Sequence, residues 1–364
     1  MKITLLEPLG IPEEVLARYQ SRLEKRGHQF TAYGEKTTDP AELIRRTGES
    51  EIVILANNPY PAEVVEAAPN LKMLDVAFTG IDHVALDACK RKGVMLCNAA
   101  GYSTQCVAEL AIGLTIACLR NMPDCETAVR TSGVGGALRG REIGGRTVGI
   151  VGTGAIGTMT ARLFQAFGAK VIAYSRTVRP EVEEMGISYV SLETLMAQSD
   201  IVSLHLPSNP QTKGMISRAM LQKMKPTAIL INVARGAVVD NTALAEALNQ
   251  EKIAGAGIDV FDMEPPLPET YPLLRAKHTV LTPHVAFATE ESMLRRAEIV
   301  FRNVEAYLDG CPENVCPPLM EEEKKKLPLY SEKRRQREFL YAALFRARGE
   351  TIRAEFSYFG LNAF

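Results

Sequence analysis

Thr147-Val148-Gly149-Ile150-Val151-Gly152-Thr153-Gly154-Ala155-Ile156-Gly157 is the stretch that decides how this chain folds. An apolar run of β-type residues feeds a Gly-x-Gly-x-x-Gly turn, and a helical pattern opens at Ala155 and Ile156. That order suits a pyrophosphate site. Gly152 permits the tight turn, Gly154 lets the backbone approach a phosphate, and Gly157 lets the helix pack close to its strand. The helix N-terminus then offers unpaired N–H groups and a positive dipole end to the anion. A glycine-rich match alone is weak. Here a strand precedes it, a helix follows it, and a second strand comes where one is due.

Working outward, the pattern alternates on both sides. Downstream, strands are expected at Thr147–Val151, Lys170–Tyr174, Ile201–Leu206, Ile229–Val233, Ala256–Val260 and Thr279–Leu281, with helices between them. Six such strands predict a Rossmann-type sheet. Upstream, strands at Ile3–Leu6, Gln29–Tyr33, Ile52–Ala56, Met73–Ala77 and Met95–Cys97 alternate with helices starting near Pro12, Pro40, Pro61 and Ala85. This predicts a second parallel sheet covered on both faces. One long helix, Ser103 to Arg120, links the two series, with Ser103 as its expected cap. A last helix, Glu290–Asp309, is expected to return to the first lobe. The fold class is therefore α/β, two Rossmann- or flavodoxin-like lobes with the active site in the cleft between them. Residues 1–98 plus 286–316 form the substrate domain, 99–285 the dinucleotide-binding domain, and 317–364 a C-terminal extension of unassigned role. Within that extension Glu321–Lys326 is a charge block and Ser331–Arg348 reads as a basic helix, more simply a solvated appendage than a partner-binding element.

Bulk properties narrow the function classes. At 364 residues the chain is long enough for two domains, and a formal charge of −1 gives no basic field for nucleic acid or anionic membrane. The longest apolar segment, Val107 to Leu119, is broken by Glu109 and falls short of the roughly 20 residues that span a bilayer. Seven cysteines without a CxxC pair or zinc spacing read as reduced thiols of a cytoplasmic protein, and no metal site is expected.

Three strand ends of the second lobe carry polar chemistry. Arg235 follows Ile229–Ala234, Glu264 follows the strand through Asp259-Val260, and His284 follows Thr279–Pro283. Taken singly, each is as well explained as a turn cation, a loop carboxylate or a turn histidine. Together they fall at the carboxyl edge of one sheet, where open α/β folds bind ligands.

The same segments resemble the D-isomer-specific 2-hydroxyacid dehydrogenases. The resemblance rests on Gly101–Glu109, Val151–Gly157, Leu204–Pro207, Asn232–Gly236, Asp259–Pro265 and Thr282–His284, in the family's order, and reaches about residue 316. It implies that Arg235 binds the substrate carboxylate and polarises its 2-oxo group, that His284 is the acid/base, and that Glu264 holds His284 in one tautomer. Phe78, Thr79 and Gly80 would form the first-lobe substrate loop, with backbone N–H groups on the carboxylate. Gly152, Gly154, Ala155, Ile156, Gly157, Ser175, Arg176, His205, Pro207, Val233 and Ala234 would line the nucleotide, and Asp259 would meet the nicotinamide carboxamide. His205 is assigned no proton transfer. The implied reaction exchanges a hydride between NAD(P) and a 2-oxo acid/(R)-2-hydroxy acid pair in a homodimer.

Two departures matter. Where NAD enzymes carry an acid after the second strand, this chain has Tyr174-Ser175-Arg176-Thr177-Val178-Arg179. A guanidinium suits a 2′-phosphate, so NADP is preferred over NAD; the alternative is an Arg176 that only stacks on adenine. Phe78 and Phe287 are larger than the residues usual at their positions, as pocket walls or as core aromatics. A second functional class stays open: a nucleotide-sensing, corepressor-like binding protein on the same fold.

Overall fold

The computed structural model describes residues 1–131 and 139–316. They form two compact units, Met1–Tyr102 with the segment from Thr289, and Ser103–Ala288. In the first, β1 (Lys2–Leu5), α1 (Glu13–Lys25), β2 (Gln29–Ala32), α2 (Pro40–Thr47), β3 (Ile52–Leu55), α3 (Ala62–Ala67), β4 (Met73–Val76), α4 (Leu86–Lys92) and β5 (Met95–Asn98) alternate without exception. All strands are parallel, in the order β2-β1-β3-β4-β5. This is the flavodoxin-type order. The central β3 is apolar at every position and wholly buried, as a parallel strand covered on both faces must be. Local chemistry sets the helix starts: Asp39 accepts from Ala41 N at 3.1 Å, with Pro40 at the first position of α2.

The second unit contains α5 (Thr104–Leu119), α6 (Met122–Arg130), β6 (Thr147–Val151), α7 (Ala155–Ala166), β7 (Lys170–Tyr174), α8 (Pro180–Glu183), β8 (Ser188–Tyr189), α9 (Leu192–Gln198), β9 (Ile201–Leu204), α10 (Arg218–Leu221), β10 (Ile229–Asn232), α11 (Asn241–Asn249), β11 (Gly255–Ile258) and β12 (Thr279–Leu281). Its parallel sheet runs β12-β11-β10-β9-β6-β7-β8. Counted from β6, the order is Rossmann-like with one further edge strand, and the switch point lies between β6 and β9. Seven strands replace the six expected from sequence. The extra one, β8, has two residues, too few to show a periodicity. Strand ends read from sequence ran one or two residues long at Leu206, Val233 and Val260, because these apolar residues extend the pattern past the paired ones.

α5 is apolar almost all round because it is central: Cys106, Val107, Ala111, Leu114 and Thr115 are all buried, and it packs on α7, β10 and β11. Its expected cap fails. Ser103 has φ −108° and ψ 8° and its side chain caps nothing, although its carbonyl accepts from Val107 N at 3.0 Å. After β12 the chain re-enters the first unit through α12 (Glu290–Leu308), opened by a capping box between Thr289 and Ser292. α12 docks on β4 and β5 by a buried bond set: Asn303 Nδ2 donates to Asp75 Oδ1 and to Asn98 O, each at 3.0 Å. The proposed basic helix Ser331–Arg348, the rest of the tail from residue 317, and part of the glycine-rich segment before β6 lie outside the described residues. Among the described residues no single helix is long and apolar enough to cross a membrane.

Candidate active site

At the switch point the glycine turn and the loop after β9 are in contact. Gly152 has φ +98°, and a Cβ there would lie 2.4 Å from the His205 carbonyl oxygen. A Cβ on Gly157 would lie 2.0 Å from the Gly152 carbonyl oxygen, so the first turn of α7 can sit this close only with glycine. At Gly154, by contrast, nothing lies within 4 Å. The result is an open backbone cradle at the start of a 12-residue helix, which fits a pyrophosphate by shape and dipole. Ala155 is exposed and Ile156 half-buried beside it.

His205 is fixed by Ser203 Oγ at 2.9 Å from Nε2, while its Nδ1 is buried without a partner. Burial pushes this imidazole down to about 3, so it stays neutral and cannot trade protons near neutral pH. Pro207 next to it is exposed, and Val233 and Ala234 are nearly buried at the end of β10. Ser175 is half-buried and Arg176 exposed, both beyond the end of β7.

The polar edge is built on three adjacent strands in level register: Asn232 pairs with Ile258, and Ile258 with Leu281. Arg235 lies three residues past Asn232 and His284 three past Leu281. Two strand spacings of about 4.8 Å separate their strands, a span that a long guanidinium side chain can bridge. The fully buried Asn232 shapes the arginine turn, accepting from Ala234 N at 3.1 Å and donating to Arg235 O at 3.0 Å. Gly236 presses that turn onto the loop leading to Glu264, for a Cβ there would lie 1.8 Å from the Phe261 carbonyl carbon. Tyr271 donates to Asp262 Oδ1 at 2.5 Å and its ring meets Phe261 edge-on, holding the loop from below.

His284 and Glu264 meet directly. Nδ1 lies 3.0 Å from both Glu264 oxygens, which fixes Nδ1 as the protonated nitrogen of a neutral ring and leaves Nε2 with a lone pair. His284 takes φ +56°, an unusual conformation for a residue with a Cβ. Asp259 holds it there. This fully buried carboxylate accepts from Thr282 Oγ1 at 2.6 Å and Val285 N at 2.9 Å on one oxygen and from Ala286 N at 2.9 Å on the other, while its carbonyl accepts from His284 N at 2.8 Å. Three internal donors engage this carboxylate and tie it to the histidine loop, and Oδ2, with one donor, keeps a lone pair for a further one. Phe287 is half-buried, packs against the core of the second unit and lies edge-on to the His284 ring at 5.5 Å.

In the first unit, Phe78, Thr79 and Gly80 follow the buried β4. Phe78 is half-buried, stacked edge-on against Tyr102 at 6.0 Å, with the Arg296 guanidinium 4.9 Å above its ring. It packs against that unit's core. Asn98 Nδ2 donates to Thr79 O at 2.9 Å, which fixes the loop. The N–H groups of Thr79 and Gly80 make no hydrogen bond among the described residues. Asn232 and Thr282 stand in segments that carry the resemblance but were assigned no role, although a lone polar residue at the end of an apolar strand marks both, and Tyr189 was not singled out.

The D-isomer specific 2-hydroxyacid dehydrogenase, NAD binding domain, matches residues 112–286. The glyoxylate reductase of Korarchaeum cryptofilum is 36% identical over 324 residues, covering 87% of this chain and 96% of that protein. The chain belongs to the D-isomer specific 2-hydroxyacid dehydrogenase family. The glyoxylate reductase of Thermofilum pendens is 39% identical over 277 residues, covering 74% of this chain and 81% of its own length. Among solved structures, an acyclic imino acid reductase in complex with NADPH and D-Arg superposes with a TM-score of 0.78 at 30% identity, covering 86% of this chain and 99% of that one. As a member of the family this chain is an oxidoreductase that exchanges a hydride between a nicotinamide dinucleotide and a 2-oxo acid/2-hydroxy acid pair. The corepressor-like reading is not favoured.

Proposed function

We propose that Arg235, Glu264 and His284 carry the reversible reduction of a small 2-oxo acid, glyoxylate or one of similar size, with NADP as the preferred nucleotide. The observation that carries this reading is the His284–Glu264 pair, with Nε2 left unengaged at the sheet edge that also bears Arg235. The bound dinucleotide supplies a hydride from its reduced nicotinamide ring. Arg235 binds the substrate carboxylate through its planar fork and polarises the 2-oxo group. His284, protonated on both nitrogens, donates the Nε2 proton to the oxygen as negative charge develops there. Glu264 holds the Nδ1 proton throughout and stabilises the imidazolium. In the oxidative direction neutral Nε2 takes the proton back. We assign the free N–H groups of Thr79 and Gly80 to carboxylate binding as well.

For the nucleotide, the Gly152–Gly157 turn is the pyrophosphate cradle, and the neutral His205, Pro207, Val233 and Ala234 are its walls. Arg176 is the residue we assign to a 2′-phosphate. No acid stands at Ser175, and Arg179 is paired with Glu181 at 3.2 Å whereas Arg176 has no such partner among the described residues. The NADPH in the imino acid reductase structure agrees with a 2′-phosphate in this fold. A homodimer is also proposed, supported by Met122 and Val129, which stand 53% and 80% exposed on α6. The free state of all seven cysteines agrees with a reducing cytoplasm.

A panel of 2-oxo acids followed by absorbance of NADPH and of NADH tests the proposal. Turnover of a small 2-oxo acid, with the higher kcat/KM for NADPH, is expected. Nucleotide binding without turnover on any acid overturns the catalytic assignment, and a strong NADH preference overturns the NADP assignment alone.

A further inference from the structure

The loop that follows β7 is held in an unusual way. Ser175, Arg176, Thr177 and Val178 make no hydrogen bond among the described residues. Arg176 and Thr177 are exposed, and Val178 is 50% exposed. The loop is fixed only at its two ends. At the first, the Tyr174 carbonyl accepts from Gly152 N at 2.7 Å. At the second, Arg179 N donates to the phenolic oxygen of Tyr189 at 3.2 Å. The same phenol lies 2.8 Å from Thr153 Oγ1, and Thr153 is the buried residue between Gly152 and Gly154. Tyr189 is in turn pinned at the sheet edge, where it pairs with Ala173 of β7 and the next residue, Val190, donates to Ala173 O at 2.9 Å.

One hydroxyl therefore joins the glycine turn to the far end of the arginine-bearing loop. A phenol has one hydrogen to give and two lone pairs, so it can accept from Arg179 N and exchange a bond with Thr153 at once. We propose that Tyr189 is a positioning residue of the nucleotide site. It couples the pyrophosphate turn to the loop that meets the adenosine ribose, and so sets where Arg176 is presented. This rests on the reading of Arg176 as the 2′-phosphate ligand. Without the hydroxyl, Arg179 N loses its acceptor, and the far end of the four-residue loop is held only through α8, where the Arg179 carbonyl accepts from Val182 N at 3.0 Å and Glu183 N at 3.3 Å.

The test uses the whole protein and the nucleotide fragments 2′,5′-ADP and 5′-AMP, titrated by calorimetry, with melting temperature measured alongside. Tyr189→Phe keeps the ring and removes the bridge. Weakening of 2′,5′-ADP binding by about fivefold is expected from one lost hydrogen bond. Thr153→Val cuts the bridge from the other side, and the two changes together should weaken binding by little more than the worse one alone. In an Arg176→Ala background, Tyr189→Phe should change 2′,5′-ADP binding by less than about twofold, since the group it positions is gone. A role in folding alone would lower the melting temperature and leave the losses multiplying. Unchanged 2′,5′-ADP affinity in Tyr189→Phe, multiplying losses, or an equal loss without Arg176 overturns the proposal. The NADP reading is judged separately by the wild-type protein. If it binds 5′-AMP as tightly as 2′,5′-ADP, that reading fails, and the positioning role then stands or falls on whether Tyr189→Phe weakens 5′-AMP binding.

Discussion

Replacing Asp259 by asparagine changes one atom and should disable the histidine loop. The carboxylate is fully buried and accepts from Thr282 Oγ1, Val285 N and Ala286 N. An asparagine keeps one oxygen. The cheapest arrangement leaves that oxygen facing Thr282 and Val285 and turns the NH2 group toward Ala286 N, a donor against a donor. One charge-assisted bond is lost and one buried N–H is stranded, worth about 1.5–3 and about 1–3 kcal/mol respectively. Removing a buried charge offsets part of this, leaving a net loss of about 2–3 kcal/mol. For a unit of this size that corresponds to a fall of about 5–10 °C in Tm. The loop also stores strain, since His284 at φ +56° costs about 1 kcal/mol for a residue with a Cβ. Once its anchor weakens, the loop should relax and withdraw His284 from Glu264, and kcat should fall by about a hundredfold, as displacements of an ångström do. Thr282→Val, which deletes one of the three donors and strands nothing, should cost about 1 kcal/mol. Calorimetric melting and steady-state kinetics of both variants test this. If Asp259→Asn melts within a degree or so of the wild type and keeps kcat within about twofold, Asp259 does not organise the loop.

Other perturbations follow from the same geometry. Gly157→Ala puts a methyl group 2.0 Å from the Gly152 carbonyl oxygen, so α7 must move off its strand by more than about 1 Å. Dinucleotide affinity, read by fluorescence titration, should drop by about a hundredfold. Glu264→Gln keeps an acceptor for His284 Nδ1 but loses the charge that stabilises the imidazolium. Because Glu264 is 62% exposed and water screens the charge, kcat should fall only about tenfold to a hundredfold, with the nucleotide Kd unchanged. Asp75 is pushed up to about 8 by burial between β4 and α12, so its neutral form is the one the fold accommodates. A carboxyl raised in the folded state gives stability that is present below its unfolded value of about 4 and lost as pH rises through about 8. Urea unfolding should accordingly show the wild type weakening between about pH 5 and 9 and Asp75→Asn weakening much less, and equal pH dependence of the two refutes the assignment.

Much of the site was legible in the sequence because its chemistry is local. The Gly152–Gly157 turn needs specific residues at fixed offsets, and Arg235, Glu264 and His284 each follow a strand whose apolar run announces where it ends. Parallel strands then bring those ends to one edge whatever the intervening length. What stayed hidden depends on partners distant in the chain. Nothing near Asp259 in the sequence says that its carboxylate accepts from residues 282–286. Tyr189 lies on a strand of two residues, and its bonds to Thr153 and Arg179 N appear only once β8 is paired to β7. Ser103 misled for the opposite reason: a good capping residue by type, it sits at φ −108° and ψ 8°, outside the extended conformation usual for an N-cap, and its side chain makes no capping bond. Phe78 and Phe287 could not be sorted by size alone. One lies under the Arg296 guanidinium and the other edge-on to the His284 ring, contacts with residues distant in the chain.

The central claim is that His284 Nε2 gives its proton to the substrate oxygen in one direction and takes it back in the other. The most direct check is the pH dependence of kcat/KM measured in both directions with the same substrate pair, under conditions where the chemical step limits the rate. Reduction of the 2-oxo acid should fall as pH rises, oxidation of the 2-hydroxy acid should fall as pH drops, and both limbs should vanish in His284→Gln along with most of the rate. Parallel profiles in the two directions would contradict the account.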